Sequence, residues 1–244
     1  MKKLLLLNGS PHREKSTTYQ VAKAFAEGMC RNGDYAVQTV HVCDLHVRPC
    51  MGCLSCWART AGECVIRSDD VPALTEQLKQ ADTVLECFPL YFFGMPGPVK
   101  TLTDRLLAFM ATYRGQEPPK DGRSFHGLRW PDEHKRFVVL SSCAYSEAEG
   151  VYASLRAQFD CICGREGYTA LFCPQFKTLW DMGDSPRLRR YLDRFRKAGE
   201  SFAKEGALSA QTVADLSRPP FSQPVYEQLL DAFWSRETAK GREE

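Results

Sequence analysis

Four cysteines stand at Cys50, Cys53, Cys56 and Cys64, spaced C-x2-C-x2-C-x7-C behind Pro49. Thiolates so close in sequence can all reach one centre, and the spacing suits a [4Fe–4S] cluster or zinc; a reduced, redox-labile loop is the third reading. His41 and His46 flank this loop and are spare ligands at most. A second stretch, Asn8-Gly9-Ser10-Pro11-His12-Arg13-Glu14-Lys15-Ser16-Thr17-Thr18, sets hydroxyls at the start of a helix. Glycine allows a tight exit from a strand, and the free N–H groups and positive dipole end of the helix attract an anion such as a phosphate monoester. The plain alternative is a strand-to-helix turn with Ser16 as N-cap. Neither G-x-G-x-x-G nor a Gly-Lys-Ser/Thr ending is present, so the dinucleotide and nucleoside triphosphate readings lack support.

A third stretch, Pro89-Leu90-Tyr91-Phe92-Phe93-Gly94-Met95-Pro96, packs aromatics, glycine and proline where an ordinary loop is polar. A flat, largely apolar isoalloxazine needs a rigid wall of this kind, with backbone amides left to bond its polar edge. Core packing or a subunit contact is the competing use. Asp69-Asp70 resembles a carboxylate pair, but helix capping explains it better. Trp130, Trp180 and Trp234 are read as ordinary packing, although their segments could cover a flavin at a subunit interface.

These stretches need elements to hold them, and the chain alternates short apolar runs with helical patterns, as a parallel sheet covered on both faces does. Strands are expected at Leu4–Leu7, Ala36–Val42, Thr83–Phe88, Phe137–Ser142 and Tyr168–Cys173. Helices are expected over Thr17–Met29, after a cap at Ser68 or Asp69 with Pro72 in the first turn, over Val99–Tyr113 and over Glu147–Arg165. Polar Arg114–His134 is read as an insertion. Ser185–Lys204 and Leu208–Trp234, broken at Pro219-Pro220, form a helical end that either crosses the sheet or docks on a second subunit. The expectation is an α/β, flavodoxin-like, doubly wound five-stranded parallel sheet of order 2-1-3-4-5 with a helical C-terminal extension. Residues 1–207 form its domain, with a cysteine loop at 48–68 and an insertion at 114–134, and residues 208–244 form the tail. In such a sheet ligands bind outside the carboxyl ends of the strands, where the loops after strands one, three and four lie.

Gly9-Ser10-Pro11 with Ser16-Thr17-Thr18, then Pro89 to Gly94 followed by Lys100 and Asp104-Arg105, resembles the NAD(P)H-dependent FMN reductase family of the flavodoxin-like superfamily, which includes the iron–sulfur flavoproteins. The resemblance covers roughly the first 175 residues. It implies FMN, with its phosphate held by Ser10, Ser16, Thr17 and Thr18; His12 stands near that phosphate in sequence and is read as a surface histidine before a phosphate contact. The ring would lie against Pro89, Leu90, Tyr91, Phe92, Phe93 and Gly94, with Ser142, Cys143, Ala144 and Tyr145 on its far side. The four-cysteine motif is similar to that of the iron–sulfur flavoproteins. Without a cluster, a nicotinamide cosubstrate, NADH or NADPH, would reduce the flavin, and a quinone, nitro compound, metal chelate or free flavin would take the electrons. With one, single electrons would pass between FMN and a partner such as ferredoxin. The family likeness also implies a homodimer or homotetramer.

Bulk properties set limits. Lysine and arginine number 32 against 30 aspartate and glutamate, for a net charge of +2, so no global field draws the protein to nucleic acid or an anionic membrane. The apolar run after Lys3 ends at Asn8, too short for a signal peptide, and no stretch approaches a membrane span, which predicts a soluble cytoplasmic protein. Eleven cysteines are an odd number and argue for thiols, metal or redox chemistry over a disulfide framework. Cys30, Cys87, Cys143, Cys161, Cys163 and Cys173 are expected to be inert core residues.

Overall fold

A computed structural model describes residues 1–112, 126–130 and 134–240. Strands β1 (Lys2–Asn8), β2 (Tyr35–His41), β3 (Thr83–Pro89), β4 (Arg136–Ser142) and β5 (Thr169–Cys173) form one parallel sheet in the order β2-β1-β3-β4-β5. The helices are α1 (Thr17–Asn32), α2 (Ser55–Ala58), α3 (Val71–Gln80), α4 (Gly97–Arg105), α5 (Ala153–Cys163), α6 (Phe176–Asp181), α7 (Pro186–Glu205), α8 (Ala210–Leu216) and α9 (Gln223–Lys240).

Alternation along the central strands divides the core in two. Leu4, Leu6, Leu85 and Leu140 face Phe25 and Met29 of α1 and Phe195 and Phe202 of α7. Leu5, Leu7, Val84 and Val139 face Leu74 and Leu78 of α3, Leu102 of α4 and Phe159 of α5. Helix α7 lies so close to α1 that a side chain at Gly199 would meet the Phe25 carbonyl oxygen at 2.0 Å. Leu216, Phe221 and Tyr226 join the α1 side of this core, so α8 and the start of α9 pack on the body of their own chain.

Several boundaries differ from the sequence expectation. The helix expected over Glu147–Arg165 begins only at Ala153, because Gly150, with φ of +74°, turns the chain first, and it ends before Gly164. The helix expected to reach Tyr113 tightens into a 3-10 turn at Leu106–Phe109 and then extends at Met110. Tyr113 itself lies outside the described residues, as do 114–125 and 131–133 of the expected insertion. Helices α2 and α6 were not expected; both are short and follow a residue in left-handed backbone, Leu54 and Gln175. All eleven cysteines are free thiols. Cys87, Cys143 and Cys173 are buried as expected, but Cys163 is half-buried and Cys30 and Cys161 are exposed, which corrects the reading of all six as core. Among the described residues no helix is long and apolar enough to cross a membrane.

One buried group runs against the pattern. Glu86 sits in the middle of β3, and burial raises its carboxyl pKa to about 7 from an ordinary 4.5. The native state therefore keeps a proton that the unfolded chain releases near the ordinary value. Stability from this group is complete at low pH, falls as pH rises between those two values, and stays reduced above them. Glu86→Gln is expected to match the parent near pH 4.5 and to exceed it by about 3 kcal/mol at pH 8. Urea unfolding at both pH values checks this; an equal effect at both would show that charge burial is not the cause.

Candidate functional site

The loop after β1 leaves the strand at Gly9, where a side chain would collide with Val99 at 2.1 Å, so only glycine lets α4 pack this closely. Asn8, buried, then organises the turn. Its Oδ1 accepts from the Ser10 amide at 3.1 Å, and its Nδ2 donates to the Arg13 carbonyl at 2.9 Å and lies 3.1 Å from His41 Nδ1. Arg13 takes φ of +49° and reaches Asp44 through Nε and Nη2, both at 2.5 Å. Neither Asn8 nor Arg13 was singled out from the sequence, although an asparagine ending an apolar strand is the signal that marks such a turn.

The hydroxyls do converge on the start of α1, but most already have protein partners. Ser16 caps the helix by accepting from the Tyr19 amide at 3.3 Å, and Ser10 accepts from the His12 amide at 3.3 Å. A hydroxyl that accepts from an amide still has its own proton to donate, so both remain able to bind an anion. Thr18 is buried and lies 2.5 Å from the Ser142 hydroxyl, so it joins two loops. Thr17 is half-buried and His12 exposed at the mouth. The first-turn amides of α1 add the unpaired donors that every helix start carries.

The aromatic stretch is a tight reverse turn. Tyr91 and Gly94 exchange amide-to-carbonyl bonds of 3.1 and 3.0 Å, while Phe92 and Phe93 take φ of +46° and +64°. Bulky residues rarely adopt that backbone, and such turns normally hold Asn-Gly. The turn uses the amides of Tyr91 and Gly94 and leaves those of Phe92 and Phe93 at its tip. Phe92 is 97% exposed, and the Phe93 ring stacks on Tyr145 at 5.4 Å. The Ser154 hydroxyl donates to the Phe93 carbonyl. Pro89 ends β3, and Leu90 is buried beneath the turn with its amide on the Ser142 carbonyl at 2.9 Å.

Beyond β4, Ser142 and Cys143 are buried and Tyr145 is exposed. The Ala144 carbonyl accepts from the Tyr226 hydroxyl. Gln175, unforeseen, fixes this loop: its amide donates to the Tyr145 carbonyl at 3.1 Å, its Nε2 to Ser146 at 2.9 Å, and its Oε1 accepts from Phe221 at 2.9 Å. The site thus combines an anion-attracting helix start with an exposed aromatic shelf, and both fit a flavin nucleotide.

Cys50, Cys53, Cys56 and Cys64 line one pocket together with Arg105. Hydrogen bonds from Ser55 hold the exposed Cys53 thiol below its ordinary pKa, whereas burial and the neighbouring Cys64 raise that of Cys56. Among the described residues, no three His, Cys, Asp or Glu converge on a single ion. Four cysteine thiolates are the donor set of a [4Fe–4S] cluster, and this pocket supplies four. Arg105 and Asp69 close the neck of the loop as a fully buried ion pair at 2.5 Å. Burial opposes the Asp69 charge, but Arg105 and the Arg48 amide outweigh it and keep the carboxyl below its usual pKa. Asp69 also accepts from the Val71 amide at 3.3 Å, but the N-cap of α3 is Asp70, whose side chain makes no cap bond, which corrects the expected cap at Ser68 or Asp69. Trp130 packs on Phe109 and Trp180 on Phe176, while Trp234 is exposed.

Known proteins agree with this architecture. An iron–sulfur flavoprotein of Archaeoglobus fulgidus is 34% identical over 113 residues, 46% of this chain and 53% of that protein. One of Methanocaldococcus jannaschii is 32% identical over 103 residues, 42% and 51%. The chain spans about half the length of the curated relatives it matches. Among solved structures, the FMN-dependent NADH-azoreductase of Bacillus anthracis in complex with FMN superposes with a TM-score of 0.58 at 18% identity, over 83% of this chain and all of that one. The NAD(P)H:quinone oxidoreductase of Methanothermobacter marburgensis gives 0.59 at 20% identity, over 82% and 98%. At these identities the superpositions speak for the fold. The family model described as flavodoxin-like fold matches residues 2–163, and with the strand order above, the chain belongs to the flavodoxin-like family.

Proposed function

We propose that this chain is an FMN-dependent oxidoreductase that takes electrons from NAD(P)H and passes them to a small acceptor such as a quinone, a nitro compound or free flavin. The observation that carries the reading is the strained Phe92-Phe93 turn. Two bulky residues held in left-handed backbone, Phe92 with its ring in solvent and Phe93 half exposed beside Tyr145, are a cost that packing repays only in part. A flat ring stacked on them would repay it. FMN, when bound, supplies the electron chemistry itself. The chain's residues orient it: the α1 start with Ser10, Ser16 and Thr17 holds the phosphate, and Phe92, Phe93 and Tyr145 form the shelf. The amides of Phe92 and Phe93 meet the polar edge of the ring.

The exposed aromatics also fit a homodimer or homotetramer in which a second subunit completes the flavin cover. A cytoplasmic location accords with eleven free thiols.

A second reading is favoured by the shared cysteine pocket and by relatives named as iron–sulfur flavoproteins. In it the loop holds a [4Fe–4S] cluster on Cys50, Cys53, Cys56 and Cys64, and single electrons pass to a ferredoxin-like partner. An absorption spectrum of protein purified without air separates the two. Flavin bands alone favour the first, and a broad added shoulder bleached by dithionite favours the second. A colourless protein that cannot be reconstituted with FMN ends both.

Ser10→Ala combined with Thr17→Ala is expected to lower the FMN retained through gel filtration, with unchanged flavin content counting against the phosphate site. The double change Phe92→Asn, Phe93→Gly is expected to raise the stability of flavin-free protein by roughly 1–3 kcal/mol for each relieved residue. It should weaken FMN binding at the same time. Thermal unfolding and flavin titration read the two effects, and a variant that binds FMN as tightly as the parent would remove the shelf from the site.

A further inference from the structure

An arginine carries five N–H groups, and Arg105 spends four of them on the chain. Its Nη1 donates to the Arg48 carbonyl at 2.7 Å and Asp69 Oδ2 at 2.5 Å, and its Nη2 to the Ile66 carbonyl at 2.9 Å and Asp69 Oδ1 at 3.3 Å. The fifth, on Nε, is buried and has no acceptor among the described residues. A side chain otherwise so fully satisfied, with one buried donor idle, is short of one partner. The candidates are close: Arg105 lines the pocket with all four cysteines, and the Cys64 thiol lies beside its guanidinium. Arg129 repeats the pattern, with Nη2 on the Cys56 carbonyl at 3.4 Å and a buried Nε that has no acceptor among the described residues.

We propose that Arg105 is a positioning residue for an iron–sulfur cluster, its idle Nε–H donating to the Cys64 sulfur once that sulfur is a ligand and thereby raising the cluster's reduction potential. The inference rests on the cluster reading given above. A ligating thiolate is a far better acceptor than a thiol, and a hydrogen bond to it from a cation is of the strong, charge-assisted kind. Reduction adds one electron to an already anionic centre, so the bond strengthens in the reduced state and shifts the equilibrium toward it. The same guanidinium grips Arg48 and Ile66, which coordinates the sulfur bond with closure of the loop neck.

The test is an anaerobic redox titration of the reconstituted full chain, followed by electron paramagnetic resonance, with flavin content as the check on folding. Arg105→Lys keeps the charge and loses the Nε donor. It is expected to disfavour reduction at least tenfold, a shift of about 59 mV to more negative potential for a one-electron couple. Asp69→Asn leaves the donor and removes a negative charge, and should shift the potential the opposite way; a merely loosened loop would move both variants in the same direction. A loaded Arg105→Lys protein with the parent's potential, or a higher one, overturns the proposal. Should Arg105→Lys fail to load, pulsed resonance on reduced Arg129→Lys protein grown with 15N-labelled arginine decides: coupling to an arginine nitrogen supports the bond, and its absence overturns it. A parent protein that takes up no iron and sulfide refutes the cluster reading itself, an outcome distinct from a loaded Arg129→Lys protein that shows no arginine coupling.

Discussion

Ser142, at the last position of β4, is the knot on which the three loops of the carboxyl edge depend. Its hydroxyl meets Thr18, which fixes the first turn of α1, and its carbonyl accepts the Leu90 amide beneath the aromatic turn. The strand itself supplies the third loop. Both interactions are buried, so leaving either polar group unpaired would cost its full desolvation, and the three segments are held in one arrangement. The start of α1 and the aromatic turn, far apart in sequence, are tied to one strand end because one serine bonds both.

The cysteine loop is held by a separate device. The Arg105–Asp69 pair is fully buried, and an ion pair in that setting repays its desolvation only with good geometry and further hydrogen bonds. Here the backbone supplies them: the carbonyls of Arg48 and Ile66 accept from the guanidinium, and the amides of Arg48 and Val71 donate to the carboxylate. The pair thus ties both ends of the loop to α4, whose own packing against Gly9 belongs to the flavin side. The two candidate centres share a helix.

Much of the site was legible because its residues are out of place by ordinary rules. Aromatics in a loop, hydroxyls massed at a helix start and four cysteines in a short span each contradict the average composition of their setting, and such contradictions mark function. The aromatic turn was legible only in part. Its composition shows in the sequence, but the φ values of Phe92 and Phe93 do not, since local preference would place Asn-Gly there. Arg13 and Gln175 were missed because their partners, the Asp44 carboxylate and the backbone of Ser146 and Phe221, are brought near only by folding, whereas Asn8 bonds its own turn.

The alternation of strands and helices, the two-faced covering of the sheet and the candidate ligands follow from the amino-acid order alone, because apolar periodicity and residue chemistry are local properties; the strand order came from likeness to a known fold. Tertiary structure alone decided which hydroxyls bind protein and which stay available, that Asp69 serves an arginine distant in sequence as well as its own helix, and that α8 and the start of α9 pack on the body of their own chain. Those are contacts between segments separated along the chain, and no short window of sequence contains both partners.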